Sequence, residues 1–586
     1  MKGTVKMRKN LQRIVSFMVI FALLCSCLGL ASFAKTEESL CINVVTDTHF
    51  RPLSVVPDVS TVQSMPESTL YSHAGFNAQL YAESNAIMNE FLKRAASSNS
   101  TVILIPGDLV DGALKDAHIE LAQKLKAFEL NTGKRVFVIN GNNDITLNSP
   151  SCASNTDFAE IYADFGFNEA LSRDPSSLSY SVDLDSNYRL LAIDSCYYGQ
   201  SNGNINPGVL KWIEEQAQLA KTENKHLIAM MHHALLRHFG GFGDVLLDPA
   251  LDDRADNADQ VWEEFADLGI QYIFTGHMHA NSITKDVSKK GNAIYDIETN
   301  CLVTYPCSYR TVTFSSDSVD IKTNTIDSID TSDLPNGYTP QQLALIESDF
   351  RQYAYGYIPV SAQFMLKTYF VYPQNAISRA GLAPDSELAK LLMVLLPDVY
   401  KCFSMPLYKT ADTNGNSIEE IAALGGYTLP ASSYSSFFDV LQVIIGNYTC
   451  GDANMPGSSV EVRLLLDSIK AVLVYSLGNN AQLITPDAVK QFTDLTGIQF
   501  TNQDVTVGLS SLLFRQSLAN QFVKSLALPF LEGVTKDAFP PGDVNVTLPP
   551  YAELSQTTQS IFVTFFEMIQ SIFEKFMKVI TVFVSF

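Results

Sequence analysis

The chain has 586 residues, 46% hydrophobic and 17% charged, a length and composition that predict more than one folded domain and exclude a long disordered polypeptide. Its 40 Lys and Arg against 62 Asp and Glu give a formal charge of −22. So acidic a protein is not expected to bind nucleic acid broadly, because that affinity comes mostly from basic groups on phosphates. A small anion remains admissible wherever positive charge is concentrated, as at a metal cluster.

Residues 1–34 read as an export signal. Met1–Arg13 holds Lys2, Lys6, Arg8, Lys9 and Arg13 and no acidic residue, an apolar run follows from Ile14 to Ala34, and Ser32 and Ala34 are the small residues of a cleavage site. Losing these five positive charges takes the net charge from −22 to −27. An uncleaved membrane anchor is one alternative, since the run is nearly long enough to span. Lipid attachment at Cys27, in Leu24-Cys25-Ser26-Cys27, is another. Each places the protein outside the cytoplasm, secreted or attached to the cell envelope. Beyond Ala34 lie Cys41, Cys152, Cys196, Cys301, Cys307, Cys402 and Cys450, an odd, scattered set without disulfide-framework or zinc-finger spacing. Buried thiols are the expectation. Cys301 and Cys307 are the candidate pair in an oxidising compartment.

From Leu40 to Ile326 short β-rich runs alternate with amphipathic stretches. The strand-like runs are CINVVTD, TVILIPGD, RVFVING, YRLLAIDS, HLIAMMHH and QYIFTGH, and Ala86–Ala96, Asp116–Phe128 and Asn206–Lys221 read as helices between them. This alternation predicts largely parallel sheet, with functional residues where strands run out into loops. After His279, AIYDIET, YRTVTFSS and SVDIKTNTI read as a closing meander. Turn residues concentrate between Asp327 and Tyr338 and mark a boundary.

Residues 339–530 are patterned as an all-α accessory domain, with helix starts of capping-box spacing at Thr339–Gln342 and Ser458–Glu461. Asp412–Ile418 resembles a calcium loop, but its Gly is misplaced for one, and a solvated turn is expected. Residues 531–558 read as a Pro-rich linker. Residues 559–586 read as an amphipathic helix whose polar stripe is Thr564, Glu567, Ser571, Glu574, Lys578 and Thr581. Such a helix suits a membrane surface, self-association with a partner helix, or docking on its own domain.

Five motifs close predicted strands: Asp47-Thr48-His49; Gly107-Asp108-Leu109-Val110-Asp111-Gly112; Gly141-Asn142-Asn143-Asp144; His232-His233; and Gly276-His277-Met278-His279. Singly they are weak. Together, delivered to one sheet edge, they supply carboxylate and amide oxygens and imidazoles, a mixed N/O set that suits Mn, Fe or Zn and lacks the thiolates of a structural zinc site. A single carboxylate can bridge two cations, and Asp108 is the natural bridge.

With all five blocks in order, residues from Leu40 to Ile326 resemble the calcineurin-like metallophosphoesterase family, most closely its exported bacterial members, where FAEIYADFGFNEALSRDPSSLSY and IAMMHHALLRHF have counterparts. The resemblance implies an α/β fold: a four-layer α/β/β/α sandwich over residues 35–330, here followed by the all-α domain. It implies two divalent metal ions, one held by Asp47, His49, Asp108 and His279, the other by Asp108, Asn142, His232 and His277. It further implies hydrolysis of a small phosphate-ester substrate by a metal-bridging hydroxide.

One position departs from the family pattern. Where many members carry His, which is thought to contact phosphate and help protonate the leaving group, this chain has Asn143. Asn can donate a hydrogen bond to phosphate but is no general acid near neutrality. His233 is a candidate for a catalytic or phosphate-contacting role, with a role supporting the ligands as the alternative. Arg237, His238 and His73 are candidates to rim the pocket. His118 and His226 are expected to be structural, Asp144 to sit behind the ligands, Asp111 to stabilise its turn, and Cys196–Tyr198 to pack or line the site. The expected function is an exported two-metal phosphoesterase favouring phosphodiesters. The alternatives are a phosphomonoesterase on nucleotide or sugar phosphates, and a catalytically weakened metal-binding envelope protein.

Overall fold

A computed structural model describes residues 39–59, 78–238, 254–451, 454–500, 508–535, 542–552 and 554. The export signal, His73 and the helix expected over 559–586 lie outside these residues.

The apolar runs become the central strands of two sheets. In the first sheet β1 (Leu40–Val44), β2 (Val102–Pro106) and β3 (Arg135–Ile139) are parallel neighbours. In the second, β6 (Tyr188–Ile193), β7 (His226–Met231) and β8 (Ile270–Thr275) are parallel, joined beyond β8 by β10 (Ala293–Glu298). Runs this uniformly apolar suit strands covered on both faces. Along β6 and β7 the side chains divide by alternation. Leu190, Ala192, Ile228 and Met230 enter the core between the sheets. Leu191, Ile193, Leu227, Ala229 and Met231 pack outward against Trp212, Ile213 and Phe265 of the covering helices.

The crossovers β1–β2, β2–β3, β6–β7 and β7–β8 each contain a helix, whereas β8 reaches β10 through an intervening strand. α1 (Ser84–Ser97) and α2 (Lys115–Thr132) cover the first sheet, and α3 (Pro207–Thr222) and α4 (Ala258–Asp267) the second. Local chemistry sets their ends. α2 stops at Gly133, whose φ of 71° is left-handed and whose N–H bonds Glu129 O. α3 starts on the Asn206 side chain, with Pro207 in the first turn. The result is the expected four-layer sandwich.

The expected closing meander divides between the two sheets, with AIYDIET (β10) in the second and the other two strands in the first. β11 (Ser308–Phe314) and β12 (Val319–Thr325) extend the first sheet beside β1, while β9 (Ser282–Val287), β4 (Ser172–Arg173) and β5 (Tyr180–Asp183) complete the second. The Pro-rich stretch read as a linker also requires correction. Asn545–Leu548 forms β13, the outer strand of the first sheet, antiparallel to β12. Val546 and Leu548 are buried in the core, and Tyr551 stacks on His226 with ring centroids 4.4 Å apart.

Residues from Pro340 to Val534 are helical; those from Leu391 onward surround a core of their own, whereas Ile346, Phe350, Tyr353 and Ala354 of the opening helices are buried in the core of the sandwich. Thr339 and Gln342 form the expected capping box. The second start is capped one residue later than expected, by Ser459 on Val462 N. The stretch opening this unit divides into Pro340–Ser348, Phe350–Tyr355 and Tyr357–Leu366; the first break comes where Asp349 leaves helical geometry (φ −157°) and caps the next segment. Among the described residues no cysteine forms a disulfide, Cys301 and Cys307 included; Cys301, Cys307 and Cys402 are buried as expected, whereas Cys41, Cys152, Cys196 and Cys450 are half-buried. Asp412–Ile418 is a turn in which Asp412 and Asn414 are exposed.

Candidate metal centre

The five motifs occupy the loops leaving β1, β2, β3, β7 and β8 at their C-terminal ends, and the sandwich brings those ends together. The turns are sharp. Asp47, His49, Asp108, His277 and His279 have φ of 48°, 34°, 48°, 80° and 54°, a left-handed region that costs a non-glycine residue on the order of 1–3 kcal/mol. The neighbouring glycines provide room. A Cβ on Gly107 would meet the His232 ring, on Gly141 the Asp108 carboxylate, and on Gly276 the side chains of Thr46 and Asp47.

Asp47 is buried. Its Oδ2 accepts hydrogen bonds from Thr46 Oγ1 (2.8 Å) and His277 N (3.0 Å), which leaves Oδ1, accepting none, directed at His279 Nε2 at 3.3 Å. His49 Nε2 lies 3.3 Å from His279 Nε2 and 3.7 Å from Asp108 Oδ2. On the other side of that carboxylate, His232 Nε2 is 3.4 Å from Asp108 Oδ2 and 3.0 Å from Asn142 Oδ1. His277 completes this second group with Asp108 and His232. Asp108 therefore stands between two sets of donors, as the bridging role requires.

These spacings fit cations. Two donors bound to one ion at about 2.1 Å lie roughly 3.0–3.4 Å apart at right or tetrahedral angles, the range of the spacings above other than His49 to Asp108, which at 3.7 Å is wider. His232 Nδ1 faces Pro106 O at 3.0 Å, which assigns that nitrogen an N–H and leaves Nε2 as the atom turned towards Asp108 and Asn142. Burial lowers His49 to about 4 and His277 to about 3, so both rings offer neutral nitrogens at pH 7. Burial opposes ionisation of Asp108 as well, but the neighbouring imidazoles, His232 foremost, outweigh it and hold the carboxyl well below its usual range. Burial opposes a charge on His232 too, yet the adjoining Asp108 carboxylate raises this ring to about 9, so without a cation it carries the proton that a metal would displace.

The remaining candidates separate clearly. Asn143 donates to Asp108 twice, from its backbone N (2.8 Å) and from Nδ2 (2.6 Å). His233 is fully buried, with Nδ1 3.0 Å from Ser195 Oγ and Nε2 3.0 Å from Ser201 O, and packs on His277 at 4.6 Å between centroids. Both its nitrogens are committed to the protein, so it stands behind the ligands. Asp144 does too, its carboxylate accepting from Gly141 N and Val110 N and so joining the second and third motifs. His118 bonds Tyr162 Oη and Asp144 O inside the domain. His238 is buried and faces Asp296 Oδ1 at 3.4 Å, while Arg237 is exposed and pairs with Asp259. Cys196 packs near His233, Tyr198 donates to Asp194, and Tyr197 is exposed.

Several contributors escaped sequence reading. Asp111 pairs with the Arg51 guanidinium and lies 3.9 Å from His49 Nδ1, rather than merely closing its turn. Cys301 donates its thiol to Asp47 O at 3.0 Å. On β10, Glu298 accepts Met278 N, and Asp296 accepts Leu235 N and Leu236 N, so this strand steadies both histidine loops. The available signal was the pair of acidic residues on alternate positions of the otherwise apolar AIYDIE.

The profile of the calcineurin-like phosphoesterases matches residues 42–281. Residues 42–281 are a calcineurin-like phosphoesterase domain. The phosphoesterase domain is a metal-dependent phosphoester hydrolase, and it holds all nine expected site residues. No curated protein matches the sequence. Among solved structures, a dimetal phosphatase from Danio rerio is similar over 49% of this chain and 96% of its own, at 12% identity and a TM-score of 0.34. A purple acid phosphatase from yellow lupin (Lupinus luteus) seeds is similar over 50% and 52%, at 10% identity and a TM-score of 0.35.

Proposed function

We propose that the protein is an exported phosphoesterase that holds two divalent cations and cleaves small phosphodiesters. The observation supporting two cations is the position of Asp108, whose Oδ2 lies 3.7 Å from His49 Nε2 and 3.4 Å from His232 Nε2. Asp47, His49, Asp108 and His279 would hold one cation, and Asp108, Asn142, His232 and His277 the other. When bound, such a pair supplies Lewis acidity and a water of lowered pKa. The protein's own residues fix the geometry. Thr46 and the His277 N–H orient Asp47, Pro106 O orients His232, and Asn143 holds Asp108 from two sides.

The preference for diesters rests on Asn143. An amide cannot protonate a departing alkoxide, and loss of a general acid costs about 10²–10⁴-fold with a poor leaving group and less with an acidic one. The nearby His233 offers no free nitrogen to replace it. Export rests on residues 1–34. Among the described residues no helix is long and apolar enough to cross a membrane.

The test combines elemental analysis of the protein starting at Lys35 with hydrolysis of a chromogenic phosphodiester and its monoester, in Mn²⁺, Zn²⁺ or chelator. About two metals per chain, chelator-sensitive turnover absent from Asp108→Asn, and faster diester cleavage are expected. A faster monoester would replace the diester reading. Metal without turnover above Asp108→Asn would leave a metal-binding envelope protein.

A further inference from the structure

Glu83 is a fully buried carboxylate outside the metal centre, and three side chains from beyond the phosphoesterase domain converge on it. Its Oε1 accepts hydrogen bonds from Tyr338 Oη (2.7 Å), Tyr353 Oη (2.6 Å) and Tyr357 Oη (3.2 Å). Tyr353 and Tyr357 belong to the helices Phe350–Tyr355 and Tyr357–Leu366 of the helical unit. The same helices already bury Phe350 and Ala354 in the sandwich core, so cohesion does not require a carboxylate that forfeits its hydration. Three directed, charge-assisted bonds add a fixed register to that apolar contact.

The neighbouring residue carries that register towards the metal ligands. Ser84 Oγ accepts from Arg51 N at 3.0 Å and reaches Arg51 O at 3.4 Å. Arg51 lies two residues past the ligand His49, is only 6% exposed, and lays its guanidinium over the Tyr81 ring at 3.6 Å. It pairs with Asp111, whose Oδ1 is 3.9 Å from His49 Nδ1. A series of contacts thus runs from the helical unit through Glu83, Ser84 and Arg51 to Asp111, whose Oδ1 faces the otherwise unbonded Nδ1 of the ligand ring His49 at 3.9 Å.

We propose that Glu83 and Arg51 are positioning residues through which the helical unit fixes the His49 ring and tunes the affinity of the half-site formed by Asp47, His49, Asp108 and His279. The inference rests on the two-cation reading above. Residues that orient ligands from behind typically alter metal affinity about 10–100-fold.

The experiment is Mn²⁺ titration of the full chain, with free Mn²⁺ followed by electron paramagnetic resonance. It compares wild type with Glu83→Gln, Tyr353→Phe, Arg51→Lys, the Glu83→Gln/Arg51→Lys double variant, and Arg94→Ala. Arg94 is the control because it ties the same helix α1 to Asp327 and Thr325 O. Tyr353→Phe removes one of three bonds and keeps the ring, so it tests the link should Glu83→Gln fail to fold. The expected result is one Mn²⁺ equivalent weakened about tenfold in Glu83→Gln and Tyr353→Phe, with the other unchanged and Arg94→Ala unaffected. The double variant should bind no more weakly than Arg51→Lys, because residues on one path are not additive. Wild-type affinity in the Glu83 and Tyr353 variants, an equal loss in Arg94→Ala, or additive losses would overturn the proposal. A wild-type chain that takes up no Mn²⁺ would overturn the metal reading itself, and this one with it.

Discussion

Asp108 can face both sets of donors because glycines vacate the space around it. Gly107 has φ +94°, and a Cβ there would meet the His232 ring and the backbone of Gly141. Gly107→Ala is therefore expected to combine a backbone cost of roughly 1–3 kcal/mol with displacement of His232. Metal per chain should fall in a protein that still folds, as read by elemental analysis beside circular dichroism. His118 makes a separate prediction about pH. Burial lowers this imidazole from 6.5 to about 4, so the unfolded chain binds its proton more readily than the native one. The contribution is fully present above pH 6.5 and disappears as pH falls towards 4, on the order of 3 kcal/mol in all. Urea midpoints at pH 7 and pH 5 should differ less in His118→Gln than in wild type, and an unchanged difference would exclude His118 as the source.

At the scale of elements, legibility followed the range of the interactions. The six apolar runs were readable because strands covered on both faces announce themselves, and the ligands were readable because they sit at the ends of those runs. Thr339–Gln342 was readable because a capping box closes within one turn. By contrast, β13 has four residues between prolines, pairs only with β12, and looks like a linker until its partner is known. Arg51, Glu83 and Cys301 were missed for the same reason. Their partners lie 60, 270 and 254 residues away, at Asp111, Tyr353 and Asp47, and no local pattern marks them. Tyr551 gives this element its test. Its ring stacks on His226, meets Tyr272 edge-on, and its hydroxyl donates to Leu227 O at 2.7 Å. Tyr551→Ala is expected to cost about 2 kcal/mol or more, somewhat below a fully buried aromatic, and to lower the urea midpoint. A chain ended at Leu548 would lose this anchor, so a clean comparison of the tail's membrane or self-association roles must end after Leu554.

At the scale of the whole molecule, the helical unit is inserted into the sandwich's own path. The chain leaves the first sheet after β12, builds the helical core, and returns to that sheet as β13. The helical unit also approaches the metal centre directly. Asn281, two residues past His279, donates its N–H to Thr449 O at 3.2 Å at the end of the helix Phe437–Cys450. Polar bonds at Glu83 and Asn281 thus hold the two units at separate places, one leading to His49 and one adjoining His279.

The strand directions also set how the molecule can be held. β1 begins at Leu40 and carries its ligands beyond the opposite end. β13 runs the other way, and after it Tyr551 stacks on His226, the first residue of β7, while Leu554 reaches Gly269, just before β8. Leu40 and Leu554 therefore sit on the rim of the sandwich remote from the metal edge. Any tether extending from either would grip the enzyme by its heel, leaving the catalytic mouth turned outward to sample solutes from the surrounding fluid.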